Sequence, residues 1–296
     1  MSNIFTKQFN KIFKNQFNSI THNGQSASDL IQMKLNSTEP IMIARFGSIE
    51  IKGILYPFLP FFLKKIFKKK IFNDLYISAG FFPVNEESVL KFSNLMIDDM
   101  KLVDILGSWR SEEYFFKKHI LNSKKVNLPD LEPYFHKNPW SISFENKKIL
   151  VIHPFNQSIE EQYYNNRENL FQNKMVLPKF KSLESIKAVQ TIAGTNSKFN
   201  NWFEALDFMK SEIEKKDFDI AIIGCGAYGF PLAAHVKRIG KKSIHLGGAT
   251  QILFGIKGKR WVENRNFDNI INEYFIFPNV SDKVENYKKM EGGAYW

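Results

Sequence analysis

The chain has 296 residues and carries 41 Lys and Arg against 30 Asp and Glu, which gives a formal net charge of +11. Apolar residues make up 44% of the sequence and charged residues 24%, so a disordered or collagen-like protein is excluded. The single cysteine, Cys225, excludes an internal disulfide and a multi-thiolate metal site, and is typical of a reducing compartment.

Residues 1–39 are expected to form an N-terminal helical segment. Phe5, Phe9, Phe13 and Phe17 recur every four residues, which is the spacing of one helix face. The opening residues lack the continuous apolar stretch of a secretory signal, and the prominent apolar stretch 53–63 is about half of the roughly 20 residues that a membrane-spanning helix needs. We therefore expect a cytoplasmic protein without a transmembrane segment.

A basic and apolar insertion is predicted at residues 52–72. Lysines between positions 64 and 70 are interleaved with Ile and Phe, and residues 1–74 carry a net charge of +7. Such clusters are typical of proteins that lie on an anionic membrane surface, here the inner membrane, although a solvated face of an ordinary helix would give the same pattern. Zinc-finger spacing, RNP-like aromatic motifs and Arg-rich tracts are missing from the sequence, so we expect no nucleic-acid partner.

Short apolar segments bounded by Gly, Pro or Asn alternate with helical patterns along the chain. Strands are predicted at 40–46, 75–79, 148–154, 218–224 and 242–247. Helices are predicted at 26–35, 86–100, 111–121, 158–173, 202–216 and 229–240. This alternation predicts a single α/β domain over residues 1–296, with a doubly wound, mostly parallel Rossmann-like sheet and helices on both faces.

A glycine-rich turn, Gly224-Cys-Gly226-Ala-Tyr-Gly229, is the clearest motif, and it joins a predicted strand to a predicted helix. Glycines allow a tight turn, and the free amides at the start of the helix can bind phosphate oxygens. An NAD site would also need an Asp or Glu about 20 residues later, where His245 stands. We therefore expect a phosphate-bearing ligand and no NAD; glycines that serve packing alone are the alternative.

A second glycine turn, with Gly247, Gly248 and Thr250, follows the strand at 242–247 and would lie beside the first turn. The cations that a diphosphate needs stand shortly afterwards, at Lys257, Lys259 and Arg260. Each of these three residues alone could equally belong to a solvated turn. Together, beside two glycine turns, they favour a diphosphate site.

Further candidate residues follow two other predicted strands. Arg45 ends the strand at 40–46 and can pair with a phosphate or with Glu50. Glu50 can ligate a divalent metal, act as a base, or hold Arg45 in place. His153 ends the strand at 148–154 and can donate to a phosphate or a sugar hydroxyl, or be a half-buried histidine with protein partners. Cys225 is expected to be a small buried side chain and not a nucleophile.

The segment IARFGSIE resembles the IARFGDGE-type signature of the GT-D glycosyltransferase fold, in which the D-x-E carboxylates lie near a nucleotide-sugar diphosphate and its metal. Other segments, among them VIHPF, QTIAG and EGGAYW, resemble glycosyltransferase-like proteins of bacterial capsule and O-antigen clusters. The resemblance covers most of residues 40–296 and implies a GT-D-like fold. Arg45, Gly47 and Glu50 match the signature, whereas Ser48 replaces its first carboxylate, so that Glu50 alone would remain to bind Mn²⁺ or Mg²⁺.

The resemblance implies a glycosyltransferase that moves a sugar from a nucleotide-diphosphate sugar to a glycan or lipid-linked acceptor in surface-polysaccharide synthesis. Glu50 and His153 are the expected catalytic residues, and Tyr228 and Trp261 are expected to stack on the base or on sugar faces. An NAD(P)-dependent or nucleotide-sugar-modifying enzyme and a non-catalytic nucleotide-binding accessory protein are the two other hypotheses. The residues expected to bind the donor are Arg45, Gly47, Ser48, Gly224, Gly226, Tyr228, Gly229, His245, Gly247, Gly248, Thr250, Lys257, Lys259 and Arg260.

Overall fold

A seven-stranded parallel sheet forms the centre of the protein in a computed structural model that describes residues 20–195, 197–284 and 286–296. Its strands lie in the order β3-β2-β1-β7-β6-β4-β5, and every neighbouring pair is parallel. The strands are β1 (Met42–Ala44), β2 (Ile105–Ser108), β3 (Lys124–Asn127), β4 (Lys148–His153), β5 (Ser182–Lys187), β6 (Ile220–Ile223) and β7 (Lys242–His245). The predicted class, a doubly wound parallel α/β fold, is confirmed.

Helices cover both faces of the sheet. They are α1 (Gln25–Asn36), α2 (Glu50–Leu55), α3 (Phe61–Ile77), α4 (Glu86–Met100), α5 (Asn156–Leu170), α6 (Trp202–Glu214), α7 (Gly229–Arg238), α8 (Ala249–Leu253) and α9 (Lys259–Val262). Short 3₁₀ helices lie at Tyr56–Phe58, Ser111–Phe116, Leu128–Leu131, Pro133–Phe135, Trp140–Phe144, Ile192–Gly194, Gly226–Tyr228, Arg265–Phe267, Val280–Asp282, Tyr287–Lys289 and Glu291–Gly293. Strand residues alternate between the two faces, so that Met42 and Ala44 join one apolar core while Ile41 and Ile43 join the other.

The prediction of a strand at 75–79 is wrong, because these residues form the end of α3 and the turn that follows it. Residues 52–72, predicted as an insertion, are mostly helical and include the end of α2, a 3₁₀ turn and the start of α3, which continues through Ile77 with Leu75 buried against the core. An apolar run of five residues fits a buried helix side as well as a strand, and only the preceding helical turns distinguish the two.

Strands β2, β3 and β5 were not predicted, and β3 and β5 lie at the two edges of the sheet. The sequences of the edge strands β3 and β5, KKVN and SLESIK, are largely polar because an edge strand is partly exposed.

The predicted helix at 111–121 is reduced to the 3₁₀ helix Ser111–Phe116. The predicted helical pattern of Phe5 to Phe17 lies outside the described residues.

The chain leaves neighbouring central strands toward opposite faces of the sheet. After β1 and β6 it continues into α2 and α7 on one face, and after β4 and β7 it continues into α5 and α8 on the other face. Because the spatial order is β1-β7-β6-β4, each neighbouring pair diverges at its carboxyl end. Such divergence opens the crevice in which α/β proteins bind ligands.

Within the described ranges, no helix combines the length and the apolar character that crossing a bilayer would require.

Trp202 connects the core to this crevice, and its replacement provides a test of the packing. The side chain is fully buried, lies 5.3 Å between ring centroids from Phe81 and from Phe92, and stacks on Tyr228 at 4.8 Å. We expect Trp202→Ala to lower the free energy of unfolding by about 3–5 kcal/mol, measured by urea denaturation. Leu121→Ala, at a side chain that is 79% exposed, is the control and should change it by less than about 0.5 kcal/mol. Equal effects of the two substitutions would contradict this packing.

Candidate active site

A cavity of about 280 Å³ lies at the carboxyl ends of the four central strands. Arg45 and Gly224 directly follow β1 and β6, whereas His153 and His245 are the last residues of β4 and β7, and all four line the cavity. This volume is near the lower end of the range for small-molecule sites. The topology of the sheet therefore places residues from distant parts of the sequence around one ligand-sized space.

Most of the residues predicted for the site line this cavity. They are Arg45, Gly47, Ser48, Glu50, His153, Gly224, Gly226, Tyr228, His245, Gly247, Gly248 and Arg260. Gly229, Thr250, Lys257 and Lys259 are not among its lining residues. The Lys259 ammonium lies 3.8 Å from the Glu263 carboxylate, and the Lys257 ammonium lies 5.4 Å from the Phe277 ring. Of the three basic residues expected to meet the diphosphate, the structure brings only Arg260 to the cavity.

Gly229 and Thr250 pack behind the cavity. A Cβ atom on Gly229 would lie 2.2 Å from Cε1 of the His245 ring, so this glycine lets α7 approach β7. Thr250 is fully buried, and its Oγ1 has no hydrogen-bond partner among the described residues. The same Oγ1 would lie 2.6 Å from a Cβ atom on Gly224. The absence of side chains at both glycines therefore preserves the packing beneath the site.

The first glycine turn keeps backbone amides available to a ligand. The Gly224 N–H donates to the Ile152 carbonyl at 3.0 Å and belongs to the sheet. The Gly226 and Ala227 amides have no protein acceptor within residues 20–195, 197–284 and 286–296. Gly226 has a φ of 56°, which favours glycine, and a Cβ atom there would meet nothing within 4 Å. The turn therefore leaves two amides and open space beside the cavity.

The second glycine turn is built similarly. The Gly247 N–H donates to the Ile223 carbonyl at 3.3 Å, and Gly247 has a φ of 61°. The amides of Gly248 and Ala249 have no acceptor among the part of the chain that the structure describes. A Cβ atom on Gly248 would lie 2.9 Å from Cε1 of Tyr295. This turn therefore adds two amides and contacts the C-terminal segment closely.

Arg45 places a guanidinium group in the cavity wall with an unused donor. Its Cζ lies 5.2 Å from the centroid of the Trp109 ring, and its buried Nε has no hydrogen-bond partner among the described residues. Burial lowers the pKa of Arg45, and the Glu50 carboxylate opposes this shift. The guanidinium nevertheless stays protonated in proteins, so Arg45 is a half-buried cation that lines the cavity and can pair with an anionic ligand.

Glu50 is the first residue of α2, and its carboxylate folds back over Gly47. A Cβ atom on Gly47 would lie 1.6 Å from Glu50 Oε2, so any larger residue at position 47 would displace the carboxylate. The Glu50 carboxylate opposes the lowering of the Arg45 pKa, and both residues line the cavity. The glycine of the IARFGSIE segment therefore creates the space in which the glutamate lies.

The two cavity histidines are neutral and have opposite tautomers. The Phe155 N–H donates to His153 Nδ1 at 2.9 Å, so the His153 proton lies on Nε2. His245 Nδ1 lies 3.2 Å from the Ile223 carbonyl oxygen and donates to it, so its Nε2 carries a lone pair. Burial lowers the pKa of each to about 3, and Arg45 adds to the shift at His245. His153 can therefore serve as a donor, whereas its low pKa opposes a role as general base.

Glu132 was not predicted and is a second carboxylate in the cavity lining. The Tyr134 hydroxyl donates to Glu132 Oε2. Burial raises the pKa of Glu132, while the Tyr134 hydrogen bond and the charges of Arg45 and Arg260 lower it. Glu132 lies in an irregular loop and does not follow a predicted strand, so the sequence pattern could not place it at the edge of the sheet. Trp109 was also missed, although it directly follows the apolar strand β2.

The C-terminal segment forms one side of the cavity and positions Arg260. The Arg260 N–H donates to the Ala294 carbonyl at 3.0 Å, and its Cζ lies 4.8 Å from the Tyr295 ring centroid. Gln251 Nε2 donates to the Tyr295 carbonyl at 3.0 Å, and the Trp296 ring packs on Phe155. The terminal EGGAYW segment thus contributes aromatic walls and places a second guanidinium beside the cavity.

The aromatic residues near the cavity differ in how much ring surface a ligand could contact. Tyr228 is buried and stacks on Trp202, so one of its ring faces is already covered. Trp261 is also largely buried, and Arg260 Cζ lies 5.4 Å from its ring centroid. Trp109 is 38% exposed and lines the cavity, so it has more free ring surface for a ligand than either of them.

A divalent metal held by protein ligands does not fit these residues. Within the described ranges, no group of three or more His, Cys, Asp or Glu side chains is arranged to hold a metal ion. Ser48 supplies no carboxylate, and Glu50 has the Arg45 cation as its neighbour. Cys225 is buried, and burial raises the pKa of its thiol, which opposes both metal binding and nucleophilic attack.

The chain matches no protein-family model and no curated protein. It is similar to a solved structure described as a domain of unknown function 1792 with a distinct glycosyltransferase fold, at 14% identity and a TM-score of 0.40 over 76% of this chain and 77% of that one. A selenomethionine-substituted structure of domain 1792 shows 14% identity and a TM-score of 0.43 over 86% and 93%. A glycosyltransferase of this domain from Streptococcus sanguinis shows 11% identity and a TM-score of 0.37 over 85% and 96%.

The neutral His153 gives a pH-dependent contribution to stability that can be measured. Its pKa falls from 6.5 to about 3 on folding, so between these values the unfolded chain binds a proton that the folded protein does not. Stability is therefore lost as the pH falls through this window. By linkage, His153 accounts for about 2 kcal/mol of the unfolding free energy that the wild type loses between pH 7 and pH 5. We expect His153→Asn to lose that much less over the same pH range, measured by urea denaturation. An unchanged pH dependence in the variant would show that His153 is not buried in its neutral form.

Proposed function

We propose that this protein is a glycosyltransferase that takes a sugar from a nucleotide-diphosphate donor. The observation that carries the proposal is the meeting, in one cavity, of the Arg45 and Arg260 guanidinium groups with the amides of two glycine turns. Guanidinium groups and backbone amides are the donors that bind phosphate oxygens most effectively. The Arg45 guanidinium also lies beside the second glycine turn, since a Cβ atom on Gly247 would lie 3.6 Å from Arg45 Nη1.

In the proposed reaction an acceptor hydroxyl oxygen forms a bond to the anomeric carbon of the donor sugar. The bond between that carbon and the diphosphate oxygen breaks, and the diphosphate leaves with the electron pair. Negative charge therefore grows on the diphosphate, where Arg45, Arg260 and the free amides stabilise it. The protein cations replace the charge neutralisation that a metal would supply in an enzyme with a complete D-x-E pair.

The proton of the acceptor hydroxyl must pass to a base, and the cavity lining contains two carboxylates for this task. Glu50 is our first choice because it belongs to the segment that resembles the GT-D signature. Glu132 is the second, because burial raises its pKa and brings it closer to the range in which a general base is effective. His153 would hold the donor, because its Nε2–H can donate to a phosphate or a sugar hydroxyl.

The site favours a nucleotide sugar over NAD(P). The residue that ends the strand after α7 is His245, whose Nδ1 is bonded to the Ile223 carbonyl, so the carboxylate that would bind an NAD ribose is not supplied there. The exposed ring of Trp109 and the rings of the C-terminal segment can take a base or sugar faces. The acceptor we propose is a glycan or lipid-linked sugar of bacterial surface-polysaccharide synthesis, which the resemblance of residues 40–296 supports.

Donor binding can be measured directly through the tryptophans that line the cavity, Trp109, Trp261 and Trp296. We expect UDP- or GDP-sugars to change the intrinsic fluorescence at micromolar to millimolar concentration. CMP-sugars, which carry a single phosphate, and NADH, for whose ribose His245 supplies no carboxylate, should bind more weakly. Arg260→Gln should weaken the preferred donor about tenfold or more, because it removes a charged hydrogen-bond donor. Lys259→Gln, at the exposed neighbour, is the matched control and should leave the affinity unchanged. Equal effects of the two variants, or preference for NADH, would contradict the proposal.

Replacement of each carboxylate by its amide separates the two candidate bases. If Glu50 is the base, we expect Glu50→Gln to lower kcat by about 100-fold or more while donor affinity changes little, and Glu132→Gln to retain most of the activity. The measurement is release of nucleoside diphosphate in the presence of a glycan acceptor. The reverse pattern would assign the base to Glu132, and a loss of donor affinity in Glu50→Gln would show that Glu50 positions Arg45. Donor binding without acceptor-dependent release across the donor panel would exclude a transferase.

A further inference from the structure

The outward side of α3 and the turn before it form an exposed apolar surface. Phe61, Phe62 and Ile66 are 84%, 62% and 65% exposed, and Phe58 in the preceding 3₁₀ turn is 56% exposed. Phe62 and Ile66 are four residues apart, so they lie on the same side of the helix. Large apolar side chains at this density are unusual on a protein surface and indicate an interaction site.

Two lysines flank this apolar surface, and neither has an acidic partner among the described residues. Lys65 and Lys69 are exposed, and neither has a carboxylate within 4 Å among residues 20–195, 197–284 and 286–296. By contrast, Lys68 and Lys70 are paired with acidic residues of the protein at 2.7 Å and 3.0 Å. In helical projection, at 100° per residue, Lys65 and Lys69 lie beside Phe62 and Ile66. The surface therefore combines protruding rings with free positive charge.

This surface is separate from the cavity, although the same helix reaches both. The exposed phenylalanines lie at the start of α3, whereas Ser78 and Ala79, which directly follow the helix, line the cavity. A helix of 17 residues is about 26 Å long at 1.5 Å per residue. The surface is thus at the far end of α3 from the site.

We propose that this surface, formed by Phe58, Phe61, Phe62, Lys65, Ile66 and Lys69, binds an anionic lipid bilayer. The rings would enter the boundary between headgroups and acyl chains, and the ammonium groups would contact lipid phosphates. Protein interfaces are depleted in lysine, whereas lysine beside aromatic residues is typical of helices that lie on anionic membranes. The proposal does not depend on the reaction assigned to the cavity.

Vesicle sedimentation with the full chain tests the proposal. We expect the protein to sediment with vesicles of phosphatidylcholine and phosphatidylglycerol, to bind vesicles of phosphatidylcholine alone more weakly, and to dissociate as salt is raised. Phe61→Ser with Phe62→Ser should lower the ratio of bound to free protein about tenfold or more, because two apolar anchors are lost. Leu121→Ser, at an equally exposed leucine far from α3 in the sequence, is the control and should not change it.

Removal of the two unpaired charges tests the electrostatic part. Lys65→Gln with Lys69→Gln should lower binding to the anionic vesicles several-fold and leave the weak binding to phosphatidylcholine unchanged. Lys118→Gln with Lys124→Gln, at exposed positions elsewhere, should have a smaller effect. Thermal unfolding of each variant confirms that the fold is retained, since all of the replaced side chains are exposed.

Three results would overturn the proposal. Equal sedimentation of the wild type and the Phe61→Ser, Phe62→Ser variant would show that the rings do not contact lipid. A wild-type dimer that becomes monomeric in this variant, with vesicle binding unchanged, would assign the surface to a second copy of the chain. Binding of a single-stranded oligonucleotide that is lost with the lysines and is not displaced by vesicles would assign it to nucleic acid.

Discussion

The site depends on one constraint of a parallel sheet, namely that every strand ends at the same edge. Because β1, β7, β6 and β4 are neighbours and their chains depart alternately to the two faces, the ends of these strands cannot be covered by a common layer of helices. The space left there is bounded by whatever residues follow each strand. Arg45, His153, Gly224 and His245 therefore meet although they are separated by up to 200 residues of sequence.

Partial burial of the Arg45 guanidinium links the stability of the free protein to ligand binding. A half-buried cation whose Nε has no hydrogen-bond partner among the described residues is unfavourable, and the Glu50 carboxylate offsets only part of this cost. An anion bound beside Arg45 in the cavity would offset the remaining penalty, and any ligand that binds only the folded state raises its stability. The same group thus lowers the stability of the ligand-free protein and selects for a negatively charged ligand.

The predicted site residues that line the cavity are those marked by local sequence pattern. Gly224, His153 and Arg45 each end or follow an apolar run, so a predicted strand was enough to locate them at one edge of the sheet. Glu132 and Tyr295 carry no such mark, because loops and the C-terminal segment reach the site only through tertiary packing. The false strand at 75–79 has the same origin, since an apolar run does not reveal whether helical turns precede it.

Cys225 has a practical consequence beyond its place in the glycine turn. It is the only thiol of the chain, and both its burial and its raised pKa suppress reaction with alkylating or oxidising reagents. We therefore expect the native protein to react slowly with maleimides, so that a cysteine introduced on the surface would be labelled preferentially. Spectroscopic probes could be attached one at a time without first removing the natural residue and disturbing the turn that contains it.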